Sequence, residues 1–349
     1  MPYNLIGRGL RYLVQATLAS LAVLLLFEGI VRTLGLYRPA MYYQADTDFE
    51  WVFLSGTDIT YGIEGFGHTH YVADGEIATP YNDGAEVLVY GDSHTEGRQV
   101  DDEDKFVSIA ETILRARGRH LNLRNLGRSG ADFADYVYFV QQAVNKTPRP
   151  SAIVIQVDEE DFDWHAFDSA RVNSFAWDSD GKLILVHHSP SADKWTYRWW
   201  ERIVLLYPLR ERWNLLRDQW NPPVQTPRRM AAPEAEVQRS VAAEAGLMER
   251  AAQGVPVLIV RTSYAPYVAA PHSPAAVTFD ALRKAEPWPI VDPAPEFVRL
   301  REQDHRDVRT FWNTLPQESH FNAYGNAIIG RELADGLDKL LYPQAAAAR

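Results

Sequence analysis

There is no cysteine anywhere in the 349 residues. That absence excludes disulfides, zinc–thiolate sites and a cysteine nucleophile. Basic charge is also short: 35 Lys and Arg stand against 46 Asp and Glu, a formal net charge of −11. A chain without a basic surplus has few counterions to release from a phosphate backbone, so no nucleic-acid partner is expected. Internal repeats are absent, and the only low-complexity tract is a run of alanines before Arg349. What is present is a globular composition, 46% hydrophobic and 23% charged. The length suits one large domain with an extension, or two modest ones.

The first forty residues differ from the rest. Tyr12 to Phe27 reads YLVQATLASLAVLLLF, with Gln15 the one strongly polar side chain. A membrane span needs about 20 apolar residues. Continuing to Leu36 reaches that length and takes in Glu28 and Arg32, spaced i,i+4 so that they can pair on one helix face. Arg8 and Arg11 precede the run, and no acidic residue comes before Glu28. This pattern favours a single-pass helix with its N-terminus inside and the bulk of the chain outside. No small-x-small cleavage site follows, so an uncleaved anchor is preferred to a cleaved signal peptide. The expected place is a bacterial inner membrane, with the main domain periplasmic or extracellular. The reading divides the chain into an anchor (1–38), a β-rich extension (39–84) and a main domain (85–343).

From residue 85 strands alternate with helices. Glu86–Tyr90, His120–Leu126, Ala152–Val157 and Pro256–Val260 read as strands. Asp104–Arg117, Asp132–Val144, 235–253 and Asn322–Leu341 carry helical spacing. Such alternation predicts an α/β fold with a parallel sheet and helices on both faces. An insertion at 159–232 interrupts the pattern and holds seven of the ten tryptophans. It predicts a hairpin around Ser179-Asp180-Gly181 and a helix from about 194 to 219. Its tryptophans either form the core of a cap over the sheet or offer faces to a substrate.

The chemistry-bearing stretch is AEVLVYGDSHTEG, residues 85–97. Ser93 follows a strand end, where open α/β sheets bind their ligands. A serine attacks only when a base takes its proton, so a histidine must arrive from elsewhere in the chain. His94 is adjacent, and neighbouring side chains diverge. His320 lies in a loop before the closing helix, with Glu318 two residues upstream to orient it and Asn322 placed as helix N-cap.

Three blocks in this order, Gly91-Asp92-Ser93, Asn125-Leu126-Gly127-Arg128-Ser129-Gly130 and Glu318-Ser319-His320-Phe321-Asn322 with Gly325, resemble the SGNH/GDSL hydrolase superfamily, and its membrane-anchored bacterial members most. The resemblance covers about 85–342. It implies a flavodoxin-like three-layer αβα sandwich with a central parallel sheet. It also implies Ser93 as nucleophile and oxyanion donor, Gly130 as second backbone donor, His320 as base and Glu318 as the acid behind it. Asp92 would brace the turn and Asn125 the loop near Gly130. No cofactor and no metal are implied.

One departure stands out. The family places an Asn after the third strand to complete the oxyanion hole. Here the chain reads Val157-Asp158-Glu159-Glu160-Asp161, and Glu160 aligns best with that place. Either Glu160 turns away, or it is protonated, or another donor such as Asn125 substitutes. A solvated acidic loop is the plain reading of the same residues, and their spacing fits no standard calcium loop. Arg98 and Arg128 lie near the motifs, where they either meet an anionic substrate or are solvated. The expected activity is a serine esterase or acyl hydrolase, with cell-envelope carbohydrate esters as substrates suggested by location. The alternatives are an O-acyltransferase for envelope glycans and a catalytically weak SGNH-fold binding protein.

Overall fold

The central strands of the predicted core, β8 and β11, have two buried faces, and the side chains divide between them with the two-residue period of extended chain. In β8 (Ala152–Val157) Ile153 and Ile155 join one apolar cluster, while Ala152 and Val154 join another on the opposite face. A strand apolar on both sides needs helices above and below it, as parallel sheets require. The structure, a computed structural model, describes residues 3–33, 43–45, 48–49, 51–62, 64–73, 75–146, 148–162, 164–169, 171–188, 213, 217, 233–263, 274–314 and 320–343. Two units divide the chain.

The first unit holds α1 (Tyr3–Thr33). Its stretch Gly9–Thr33 has a mean hydropathy of 2.0 and is long and apolar enough to cross a membrane. Arg32 Nε donates to Glu28 Oε1 over 2.7 Å, the i,i+4 pair anticipated from spacing.

The second unit is a three-layer α/β sandwich. Two short strands, β1 (Tyr43–Ala45) and β2 (Trp51–Phe53), pair with each other. Then follow β3 (Thr57–Tyr61), β4 (Gly67–Ala73), β5 (Glu76–Ile77), β6 (Ala85–Tyr90), the one-turn helix α2 (Ser93–Glu96), α3 (Phe106–Ala116), β7 (Leu121–Asn125), α4 (Phe133–Val144) and β8. The hairpin β9 (Asn173–Trp177) and β10 (Leu183–His187) turns where Ser179-Asp180-Gly181 predicts it. After it come α5 (Glu234–Ala252), β11 (Val257–Arg261), α6 (Pro274–Ala285), β12 (Ile290–Val291), α7 (Ala294–Gln303) and α8 (Ala323–Leu341). Of the predicted helix at 194–219 only Trp213 and Arg217 are described, both helical; the rest lies outside the described residues, and so do four of the seven tryptophans of the insertion.

One sheet runs in the order β12-β11-β8-β6-β7-β5-β4-β3. Its first five strands are parallel, and β5, β4 and β3 continue it antiparallel. Of the strands before residue 85, β3, β4 and β5 are therefore part of the central sheet, while β1 and β2 pair apart from it. On one face α4, α5 and α6 pack Phe133, Tyr136, Val140, Met248 and Phe279 onto Ile153, Ile155 and Ile259. On the other, α3 and α8 pack Phe106, Ala110, Leu114, Ile329 and Leu333 onto Val87, Val89, Val154 and Val260. Helix α4 begins on a capping box: Asp132 accepts from Ala134 N–H and Asp135 N–H, and Asp135 accepts from Asp132 N–H. Gly330 of α8 lies so close to α3 that a Cβ there would meet Ile109 at 2.8 Å. The strand ends at β6, β7 and β8 converge on one edge, and the loops leaving them build the site.

Candidate active site

The turn after β6 is held from three directions. Gln156 is the one polar side chain in β8 and is fully buried. Its Oε1 accepts from Asp92 N–H (3.1 Å) and Thr95 Oγ1 (2.8 Å), and its Nε2 donates to Thr262 Oγ1 (2.8 Å). Asp92 caps α2 by accepting from His94 N–H over 2.7 Å. Asn125 donates to Thr95 O (3.0 Å) and accepts from Gly127 N–H (3.1 Å). That draws the second loop onto α2 so tightly that a Cβ on Gly127 would lie 2.3 Å from Glu96 N. Gly91 is equally confined, 2.0 Å from Thr95 Oγ1 by the same construction. These two glycines are there for close approach.

Ser93 opens α2. Its Oγ lies 2.7 Å from His320 Nε2. His320 Nδ1 lies 2.8 Å from Glu64 Oε2, and His320 N–H donates to Glu64 Oε1. Glu64 sits in the turn between β3 and β4, on the antiparallel side of the sheet. Burial pushes its carboxyl up, but the His320 hydrogen bond and charge, with the His320 N–H and Gln99, outweigh that and hold it below the usual carboxylate range. An ionised Glu64 only accepts, so Nδ1 carries the proton and Nε2 presents its lone pair to the Ser93 hydroxyl. The Glu64 turn is fixed by Asn313, which accepts from Gly65 N–H (2.9 Å) and donates to Gly62 O and Gly65 O (3.3 Å each).

Glu318, the expected acid, lies outside the described residues, and the carboxylate on His320 Nδ1 is Glu64. Sequence reasoning missed Glu64 because it stands 256 positions from His320, in a segment read as an extension. A glutamate in a Gly-flanked turn, Gly62-Ile63-Glu64-Gly65, is the only local signal.

Gly130 adopts φ +82°, and its carbonyl accepts from Arg171 Nη2 over 2.7 Å. Ser129 donates to the buried Glu96 carboxylate, which also takes Tyr71 OH (2.7 Å) and Arg98 Nε (3.1 Å). Arg98 thus braces the second loop, and Arg128 lies over the Phe139 ring at 4.8 Å. Among the described residues neither Ser93 N–H nor Gly130 N–H has an acceptor. Asn125 has both ends of its amide engaged and holds the loop.

The third block departs from the sequence expectation in which carboxylate it brings in. Glu160 is exposed at the start of a 3-10 turn, and its N–H donates to Asp158 Oδ1 over 2.7 Å. The carboxylate turned toward the nucleophile turn is Asp158. Asp92, His94 and Asp158 each bring one polar atom within 4.8 Å of the others. Burial, then the charges of Asp92 and Glu159, push Asp158 up to about 8. Burial also raises Asp92 against the pull of His94 N–H, His320 and Arg309. The trio does not suit a cation: Arg309 Nη2 lies 2.8 Å from His94 Nε2 and only donates, so the Nε2 lone pair is taken and the ring's one proton is on Nδ1. Shared protons suit this cluster better than a metal.

No family model matches the chain, and no curated protein matches it. Solved structures do. TesA is 13% identical over 73% of this chain and 99% of its own, with a TM-score of 0.41. A member of the lipolytic protein G-D-S-L family from Veillonella parvula DSM 2008 is 12% identical over 71% and 94%, at 0.37. AlinE4, an SGNH-hydrolase family esterase, is 13% identical over 77% and 99%, at 0.36. The chemistry of the present chain is read from its own atoms.

Proposed function

We propose that the chain is a serine ester hydrolase. The observation that carries this reading is the continuous hydrogen-bonded line Ser93–His320–Glu64, in which a carboxylate held below its usual range sits on Nδ1 and leaves Nε2 facing the Ser93 hydroxyl. Ser93 Oγ attacks the ester carbonyl carbon while its proton passes to His320 Nε2. The carbonyl π pair moves to oxygen, and that oxyanion meets the N–H groups of Ser93 and Gly130. His320 returns the proton to the departing alcohol oxygen as the C–O bond breaks, leaving an acyl group on Ser93. Water then gives a proton to His320 and attacks the acyl carbon. The acid leaves and Ser93 recovers its proton. Glu64 accepts from Nδ1–H throughout and stabilises the transient imidazolium.

We further propose residues 1–38 as an uncleaved membrane anchor, with the β-rich segment 39–84 and the main domain 85–343 on the outer side of a bacterial inner membrane. Arg8 and Arg11 before the apolar run support this orientation. Acyl esters on envelope carbohydrate are the substrates that such a location offers.

The test is fluorophosphonate labelling together with hydrolysis of short p-nitrophenyl esters. Wild type should label at Ser93 and turn over. Ser93→Ala should not label, and Ser93→Ala and His320→Ala should each lose about 10⁴-fold or more in kcat. No Ser93-dependent labelling together with no ester turnover would sink the reading.

A further inference from the structure

His94 stands next to the nucleophile, yet takes no part in the proton path just described. Its ring centroid lies 4.8 Å from that of His320 and 4.8 Å from that of Phe321. Two imidazoles at that distance cannot both be charged without strong repulsion. A base that must accept a proton in every turnover needs its neighbour to stay neutral.

We propose that Arg309 is a positioning residue that fixes His94 as the neutral Nδ1–H tautomer and so keeps a second positive charge away from His320. The effect on catalysis rests on His320 being the base; the tautomer itself does not.

The geometry carries the first step. A guanidinium has five N–H donors and no acceptor. Across 2.8 Å from Arg309 Nη2, His94 Nε2 must therefore offer its lone pair. Protonating Nε2 would set two donors against each other, and the ring's one proton is left on Nδ1. That atom is buried and has no hydrogen-bond partner among the described residues. The lock is itself well held. Arg309 lies over the Phe321 ring at 4.9 Å, and its N–H donates to Asp307 Oδ1 over 2.8 Å. Asn322 ties the segment down by donating to Asp307 O (2.8 Å) and Thr310 O (3.0 Å).

The charged surroundings are mixed, so the lock has something to overcome. His94 faces Asp92 from its own turn, Asp158 from the end of β8, His320 from the loop before α8 and Arg309 from the loop after α7. Asp92 and Asp158 favour a charged His94 only when ionised, and burial raises both, Asp158 to about 8. Burial, the His320 charge and the Arg309 charge act the other way and hold the imidazole well below its ordinary value. His320 in turn faces Glu64, Ser93 and His94. Removing Arg309 takes the donor off Nε2 and one of the opposing charges away; burial and His320 remain against protonation, but Nε2 is then open and the ring should take up a proton more readily.

The experiment uses the full chain in detergent, labelled with ¹⁵N-histidine, and follows two-bond ¹H–¹⁵N spectra from pH 5 to pH 8. Signals are assigned by their loss in His94→Gln and His320→Gln. In wild type, His94 should show a protonated Nδ1 and a bare Nε2 across the whole range. A His94 that titrates there, or one protonated on Nε2, overturns the proposal, and that arm needs no Arg309 variant. In Arg309→Met, His94 should titrate; in Arg309→Lys, which keeps a donor and a charge, it should stay locked. The protection of His320 is read from the titration midpoint of His320 in the same spectra. His94→Gln should leave that midpoint in place in the wild-type background. In the Arg309→Met background it should raise it by about half a pH unit or more, because a charged neighbour has been removed. Equal effects in both backgrounds overturn the proposal. A chain that hydrolyses no ester would count against the hydrolase reading alone, since every one of these signals is independent of turnover.

Discussion

Glu64 grips His320 twice, through Nδ1–H and through the backbone N–H, so ring and main chain are fixed by one carboxylate. Glu64→Gln keeps the shape but replaces an anion with a dipole whose amide end donates. The imidazolium formed on attack then loses its counter-charge, and the tautomer is no longer dictated. We expect kcat to fall by about 10²–10⁴-fold with KM little changed, measured on short p-nitrophenyl esters. Glu318→Gln should stay within a few-fold of wild type, because Nδ1 is already occupied. A large loss on Glu318→Gln with a small one on Glu64→Gln would reverse the assignment. The Ser93–His320 pairing was legible in the sequence because each residue sits in a short motif with its own turn or cap. The acid was not, because only the pairing of β3 with β4 and the packing of their turn on Asn313 carry it to the site.

At the scale of elements, the nucleophile turn is an object built from backbone contacts that tolerate little change. Gly127→Ala would force α2 and the second loop apart, since the added carbon meets main-chain atoms of Thr95 and Glu96. Gln156→Leu would leave Asp92 N–H and the buried Thr95 hydroxyl without their partner, while Thr262 keeps Val157 O. Each buried polar group so abandoned costs about 1–3 kcal/mol. Denaturant unfolding should show Gln156→Leu losing at least about 2 kcal/mol, with labelling of Ser93 weakened in parallel. Elements with helical spacing and a cap were legible to within a few residues: α3, α4, α5 and α8 lie close to where apolar periodicity placed them. The region 274–303 was not read as structure. Its helices α6 and α7 are about as long as α3 and α4, but Pro271, Pro274, Pro287, Pro289, Pro293 and Pro295 punctuate the stretch as breakers, and its strand β12 has two residues. Gln156 shows a different limit. A lone polar residue in AIVIQV reads as an imperfection until its three partners are seen.

At the scale of the molecule, buried carboxylates make stability depend on pH. Asp158 keeps its proton in the folded chain up to about 8, whereas in the unfolded chain it releases it near pH 4. Between those values the folded state binds more protons, so stability falls as pH rises and levels off above about 8. Asp158→Asn removes that dependence while its side-chain oxygen can still accept from Glu160 N–H. Thermal unfolding should show the variant about equal to wild type near pH 4 and stabilised by about 2 kcal/mol near pH 8. A constant difference across that range would show that Asp158 is not the group responsible. The overall α/β order was legible because parallel crossovers repeat strand and helix in a fixed rhythm. The antiparallel strands before residue 85 were read as a separate extension because their short, aromatic-rich segments carry no mark of which sheet they join.

The hairpin of β3 and β4 fixes an order in time. During synthesis the acid Glu64 emerges first, the nucleophile Ser93 soon after, and the base His320 more than two hundred residues later. A nascent or truncated chain that stops short of His320 holds a serine and a carboxylate with nothing to pass a proton between them. Under the hydrolase reading, the enzyme stays silent for most of its own translation and acquires activity only when the segment beginning α8 folds back across the sheet.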